Sequence, residues 1–262
     1  MGLSVGVLLV AFSCIASDAP ENFAPRPSSE AVTFRLQSLA GGLKGLRDRF
    51  DDSQLLLLQK LNRVDLDHLA RLDCFVVPDA WDGDELAYSP LPRRYGWTER
   101  QPKVVVVHQP AQVFGAYEYG RLVRWGPVSS GRRTNPTPQG LFHLNWRSEG
   151  RHSTVDPAWF MRWYFNFDND RGLSFHEYAL PGRPASHACV RLLASDARWL
   201  YGWGEEWRLD LSRRNVLAAG TPVLIVGSYE FGAPPPWRSA ELLARGVELP
   251  PQPRFDDFPQ LF

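Results

Sequence analysis

Lysine is nearly absent: Lys44, Lys60 and Lys103 are the only three among 29 basic residues, and all the others are arginine. The skew reads as a sign of a high-GC genome, not of a function. An excess of positive charge is also missing. Asp and Glu number 29 as well, so the formal net charge is zero. The chain as a whole has no excess of positive charge for phosphate-backbone binding, and no nucleic-acid partner is expected. Cysteine is scarce, with Cys14, Cys74 and Cys189 alone, too few for a disulfide framework. No CxxC or HExxH pattern occurs, so no standard zinc motif is present. There is no internal repeat. Beyond the N-terminus no apolar stretch reaches the length of a membrane span.

What is present describes a globular chain. The 262 residues are 44% hydrophobic and 22% charged, enough to bury a core in one or two domains. Fifteen Phe and ten Trp suit aromatic-lined grooves. The apolar run 3–16 (LSVGVLLVAFSCIA), followed by Ala16, Ser17, Ala19 and Pro20, has the form of a secretory signal over 1–19. It lacks a basic leader, and two other readings stay open: an uncleaved N-terminal membrane anchor, or a lipoprotein at Cys14, which Phe12 fits poorly.

Residues 20–34 are rich in Pro, Ser and Ala and read as a linker. From 35 to 73, Leu36, Leu39, Leu43, Leu46, Leu55–Leu58, Leu61 and Leu69 follow a helical period, with Asp51 to Ser53 as an N-cap. FVVP (75–78) reads as a short strand, and Cys74 beside it as a buried small hydrophobe. The closing stretch LNRVDLDHLARLDCFVVP resembles the second half of a LysM glycan-binding module. Residues 35–101 are therefore expected to be a helical, degenerate LysM-like subdomain, or a plain helical one.

From 102 the pattern turns to strands: KVVVV (103–107), two strands around Tyr119–Gly120, a strand after NPTPQG, WFMRWYFNF (159–167), GLSFHEY (172–178) and GTPVLIVG (220–227). One late helix, SDARWLYGW (195–203), is capped by Ser195 or Asp196. The expected fold is mostly β, two-sheet or barrel-like, over 102–227. The tail 228–262 is proline-rich, with one helical pattern at 239–246, and wraps the surface or stays mobile. His108 and His143 read as strand histidines, His152 as a loop residue, and His68 as one on a helix surface. Trp159, Trp163, Tyr164 and Phe167 read as core aromatics more readily than as a glycan platform.

The chemistry concentrates in FHEYALPGRPASHACVRLL (175–193). His176, His187 and Cys189 fall within 14 residues, between a strand and a helix. A cysteine attacks as its thiolate, so it needs a lowered pKa or a base at hand, and an imidazole supplies either. Backbone N–H groups of a tight turn can hold the oxyanion of an acyl-transfer intermediate. Two blander readings stand beside this one. Cys189 could be a buried structural cysteine. The two histidines and Cys189 could instead ligate zinc, which needs a fourth ligand or water.

SHACVRL (186–192) resembles the SHGC[IV]R[LM] signature of L,D-transpeptidases, the YkuD-like family. FHEY resembles that family's IHG element, and NPTPQGLF its TPxGxF segment. The resemblance extends over 102–227 and implies a mostly-β sandwich. It implies Cys189 as nucleophile, His176 as its base, and His187 in the active-site pocket and oxyanion region. It also implies Ser186 ordering the turn, Arg191 meeting a substrate carboxylate or bracing the loop, and Glu177 orienting His176 through its backbone carbonyl. Three departures stand out. Glu177 and Ala188 replace glycines of the pattern, and the His176-to-Ser186 spacing is short. Alanine is tolerated at 188 if its φ is negative. A Glu177 carboxylate near His176 would raise the imidazole pKa, unless it points across the strand.

The implied function is a secreted cysteine L,D-transpeptidase. It would cross-link peptidoglycan stem peptides in the periplasm or envelope, with no metal and no cofactor. Two alternatives share the sequence evidence. Water could replace the acceptor amine, giving a carboxypeptidase or cross-link-cleaving amidase. Or the chain could be a non-catalytic wall-binding protein.

Overall fold

The computed structural model describes residues 32–251, apart from 39, 240–242, 244 and 245. The expected signal (1–19), the linker up to residue 31 and the distal tail lie outside the described residues, as does Cys14.

The N-terminal part is not all helix. Phe34–Ser38 forms strand β1, followed by helices α1 (Gly42–Arg49), α2 (Asp52–Asn62) and α3 (Leu66–Leu69) and strand β2 (Cys74–Pro78). β1 pairs antiparallel with β2, Phe34 opposite Pro78 and Ser38 opposite Cys74. Leu36, placed in a helix by its leucine spacing, therefore sits in a strand. The N-cap expectation holds at α2: Asp51 accepts from the Gln54 N–H at 2.8 Å, and Gln54 Oε1 accepts from the Asp51 N–H at 3.1 Å. Leu46, Leu58, Leu69, Phe75 and Val77 bury this unit's own core. Cys74 is a correction: it is half-buried at the start of β2, not buried, and Cys189 is the free cysteine among the described residues.

The strands that follow are β3 (Val104–His108), β4 (Val113–Glu118), β5 (Arg121–Ser129), β6 (Gly140–His143), β7 (Arg147–His152), β8 (Phe160–Asp168), β9 (Leu173–Glu177) and β10 (Val190–Leu192). Helix α4 (Ala194–Trp203), a small hairpin of β11 (Arg208–Leu209) and β12 (Val216–Ala218), and β13 (Pro222–Val226) complete the order. Nine of these strands form one sheet, β6-β13-β3-β4-β5-β10-β9-β8-β7. The sheet curls so that its halves face each other. Val105, Phe114, Phe142 and Ile225 from one half pack with Phe165, Phe175, Val190 and Leu192 from the other. The fold is mostly β, and its two layers belong to one sheet.

Two local expectations change. RSEGRH is strand β7, so His152 ends a strand instead of lying in a loop, with its Nδ1 2.7 Å from the Pro157 carbonyl oxygen. The segment has no apolar alternation because it is the sheet edge, held by β8. Helix α4 has Leu193 at its N-cap with no side-chain cap. Asp196 lies inside its first turn, fully buried, with Arg124 Nε at 2.8 Å and Lys60 Nζ at 3.7 Å. Lys60 also donates to the Trp125 carbonyl at 3.0 Å, which ties α2 to β5 and α4 across a buried contact. The described part of the tail packs down: Trp237 is buried against Val76, and the Tyr95 hydroxyl donates to the Pro250 carbonyl at 2.6 Å.

Candidate active site

Strands β9 and β10 run parallel, with Val190 opposite Phe175 and Arg191 opposite His176. Successive side chains of a strand point to opposite faces. Leu173 and Phe175 of β9 and Val190 and Leu192 of β10 enter the core. The alternation therefore sends Ser174, His176 and Tyr178 to the other face, together with Cys189 and Arg191. There they meet a cleft of about 410 Å³, in whose lining His176, Tyr178, Ser186, His187, Cys189 and Arg191 all take part.

His176 is buried, 4% exposed. Its Nδ1 lies 3.0 Å from the Glu177 carbonyl oxygen. A carbonyl only accepts, so Nδ1 carries the proton and Nε2 keeps its lone pair. Burial pushes the imidazole down to about 4; the Glu177 carbonyl opposes this, and the Arg191 charge adds to it. The ring is thus neutral at pH 7. The Glu177 side chain plays no part in that balance. It lines a separate groove with Arg162, Asp67 and Leu66, so of the two placements weighed for its carboxylate, the one across the strand is found.

The Cys189 thiol is half-buried at the mouth of β10. Ser174 Oγ lies 3.5 Å from Sγ and donates to it, and the thiol faces the Gly172 carbonyl at 3.8 Å. Burial raises the thiol pKa, while the Ser174 hydrogen bonds and the Arg191 charge pull it down. Arg191 is itself fixed, its guanidinium 4.6 Å from the Tyr178 ring centre. In the cleft that both line, the thiol is therefore held protonated and the imidazole neutral. Neither group carries charge at rest, so the arrangement holds no standing thiolate–imidazolium pair.

The turn before Cys189 is held at Ser186, Ala188 and Cys189. The Ser186 N–H donates to the Ser130 carbonyl at 3.0 Å, and the Ser186 carbonyl accepts from the Arg132 N–H at 3.0 Å. Ser186 Oγ donates to the Cys189 carbonyl. Thr137 Oγ1 accepts from the Gly131 N–H and donates to the Ala188 carbonyl, both at 2.8 Å. A trans peptide sets the Cys189 N–H opposite that carbonyl, hence away from Thr137. Ala188 has φ +78°, the left-handed region. The condition of a negative φ is not met, and the methyl is held there under strain.

Ser174 and Thr137 were not singled out from sequence, although Thr137 lies in the NPTPQG segment. The period-two spacing of Ser174 from His176 is the signal that could have found the first. The aromatic expectation divides. Phe167 is core, Trp163 packs on the core, and Trp159 and Tyr164 line the cleft. Trp146 is 5.1 Å from Tyr164, ring centre to ring centre, and the Arg151 guanidinium lies 5.1 and 4.9 Å from the two rings. Among the described residues no three metal-ligating side chains converge, and no helix is long and apolar enough to cross a membrane.

The family comparison falls on this same region, matching residues 102–225 to the YkuD L,D-transpeptidase catalytic domain. The match covers just under half of the chain. Solved L,D-transpeptidases are similar to the chain as well. One from Xylanimonas cellulosilytica is 26% identical over 66% of this chain and 78% of its own, with a TM-score of 0.44. One from Stackebrandtia nassauensis is 23% identical over 50% of this chain, with a TM-score of 0.40. One from Mycobacterium tuberculosis H37Rv is 22% identical over 48%, with a TM-score of 0.38. The chain spans 58% of the length of each of the last two. No curated protein sequence matches it. The matched region, 102–225, carries the whole of the cleft's described polar lining, His176 and Cys189 included.

Proposed function

We propose that this chain is a secreted cysteine L,D-transpeptidase that cross-links peptidoglycan stem peptides through a Cys189 acyl-enzyme. The observation that carries the reading is the shared face of β9 and β10. It puts Cys189, the free Nε2 edge of His176 and the Arg191 guanidinium on one cleft.

In the first step Cys189 Sγ attacks the carbonyl carbon at the L-centre of the donor's diamino acid, and His176 Nε2 takes the thiol proton. The oxyanion is held by N–H groups of the His187–Cys189 turn, with the peptide planes fixed by Thr137 and Ser186. The bond to the terminal D-alanine breaks, and the imidazolium returns the proton to the leaving amine. An acceptor amine then attacks the thioester and gives its proton to His176. The sulfur leaves and recovers that proton. Arg191 and Arg151 supply positive charge for the carboxylates of a stem peptide. Water in place of the amine would give the tripeptide.

Residues 1–19 are read as the export signal, 35–101 as a LysM-like part that approaches the wall, and 102–227 as the catalytic part. The test is the full chain with purified disaccharide-tetrapeptide, read by mass spectrometry beside Cys189→Ala. A cross-linked dimer lost in the variant is the expected result. Tripeptide alone would assign a hydrolase. No Cys189-dependent product would overturn the reading in favour of a wall-binding protein.

A further inference from the structure

Seven large hydrophobic residues are exposed among the described ones, and three of them fall in the β11–β12 hairpin: Leu211 at 106%, Leu217 at 68% and Val216 at 51%. Scattered apolar exposure is ordinary, but a cluster on one short protrusion is not. The register explains part of it. Arg208 pairs with Ala218 and Leu209 with Val216, so Leu217 is the extra residue of a bulge. Neighbours 216 and 217 are consequently both exposed, where a regular strand would turn one of them inward.

The tip is ordered, not loose. The Asp210 carboxylate accepts from Ser212 Oγ at 2.8 Å, from Asn215 Nδ2 at 2.6 Å and from the Arg214 N–H at 3.1 Å. The Asp210 N–H donates to the Asn215 carbonyl at 2.9 Å, and Arg213 adopts φ +56°. These bonds hold Leu211 out on the turn. They also occupy the hairpin's one carboxylate. Arg208, Arg213 and Arg214 are exposed, and among the described residues none pairs with a carboxylate. The nearest acids in the chain are engaged elsewhere, Glu205 with Lys103 and Glu206 with Arg147.

We propose that the β11–β12 hairpin docks on an anionic lipid surface, with Leu211, Val216 and Leu217 entering the headgroup–acyl boundary and Arg208, Arg213 and Arg214 meeting lipid phosphates. An exposed apolar cluster sharing its hairpin with three exposed arginines matches a bilayer interface, where the apolar part is buried and each guanidinium stays at headgroup level. A protein partner would have to offer a pocket for a fully exposed leucine and an acidic rim around it. The proposal is independent of the reaction assigned to Cys189.

The test is hydrogen–deuterium exchange of the full chain, with vesicles of phosphatidylcholine alone and of phosphatidylcholine mixed equally with phosphatidylglycerol. Reading the amides of 208–218 isolates the hairpin from any contact made by the apolar N-terminus. Protection by the anionic vesicles only is expected. Leu211→Asp with Leu217→Asp should lower hairpin partitioning at least about tenfold, and each Arg→Gln about fivefold. Both sets should keep native melting curves, since the residues touch no core. Unchanged exchange with anionic vesicles would overturn the proposal. So would lipid-independent protection that grows with protein concentration, which would assign the surface to a second copy of the chain.

Discussion

Acidification gives the sharpest test of how the cleft is built, because on the proposed reading one buried imidazole governs both catalysis and stability. His176 is neutral in the native protein down to about pH 4, whereas an unfolded histidine takes up its proton near 6.5. Above pH 6.5 the ring is neutral in both states, and its contribution does not change with pH. Between 6.5 and about 4 only the unfolded state binds the proton, so stability falls as pH falls. Across that window the loss from His176 amounts to about 3 kcal/mol. His108, pushed down to about 4 by burial and the Arg63 charge, loses stability with the same sign.

Catalysis should behave differently across the same window. The free Nε2 remains a competent base until the native ring protonates. The rate of Cys189 acylation by a carbapenem should therefore stay level from neutral pH and halve only near pH 4. A pH-jump stopped-flow measurement reads acylation before unfolding, and chemical denaturation at each pH reads stability. Expected together are a flat rate and a falling unfolding free energy between pH 6.5 and 4.5. His108→Gln should flatten part of the stability slope without moving the kinetic limb, since His108 does not line the cleft. An acid limb in the rate near pH 6.5 would refute the reasoning, because it would mean that His176 is solvated like a surface histidine.

Four substitutions extend the argument. Ala188→Gly removes a left-handed strain of about 1–2 kcal/mol and gives back part of it in unfolded-chain entropy, so thermal melting should show a net gain of about 0.5–1 kcal/mol. Ser174→Ala takes a donor from the sulfur, and the pH at which iodoacetamide reacts half-maximally should rise by about half to one pH unit. Thr137→Val leaves the Gly131 N–H and the Ala188 carbonyl without their partner; it should cost about 1–3 kcal/mol and slow acylation, and Thr137→Ser should rescue both. Lys60→Met removes a buried ammonium that pairs with Glu85, donates to the Trp125 carbonyl and lies 3.7 Å from Asp196, while Asp196 keeps Arg124, and denaturation should report a loss of about 1–3 kcal/mol.

What could be read from the chain follows from how far each feature's cause extends along it. The β9 and β10 strands carry their cause locally: alternating Leu173, Ser174, Phe175 and His176 already separates a core face from a cleft face, and the motif sets Cys189 at the strand's mouth. The placement of the Glu177 carboxylate was legible by the same rule, since it is one residue from His176 and must face the other way. β1 was not legible, because Leu36, Leu39, Leu43 and Leu46 imitate a helical period while only pairing with β2, some forty residues on, makes Phe34–Ser38 a strand. β7 was hidden for the opposite reason: RSEGRH has no apolar pattern, and its pairing with β8 alone makes it extended. Asp196 reads as an N-cap in sequence, yet its carboxylate is claimed by Lys60 and Arg124, neither of which is near it in the chain. The strain at Ala188 sits between these cases. The glycine of the resembling motif hints at a left-handed turn, but only the bonds from Thr137 and Ser186 explain why an alanine is held in it. The chemistry of the proposed nucleophile is thus written locally, and the bond that holds the turn presenting it comes from a residue some fifty positions away.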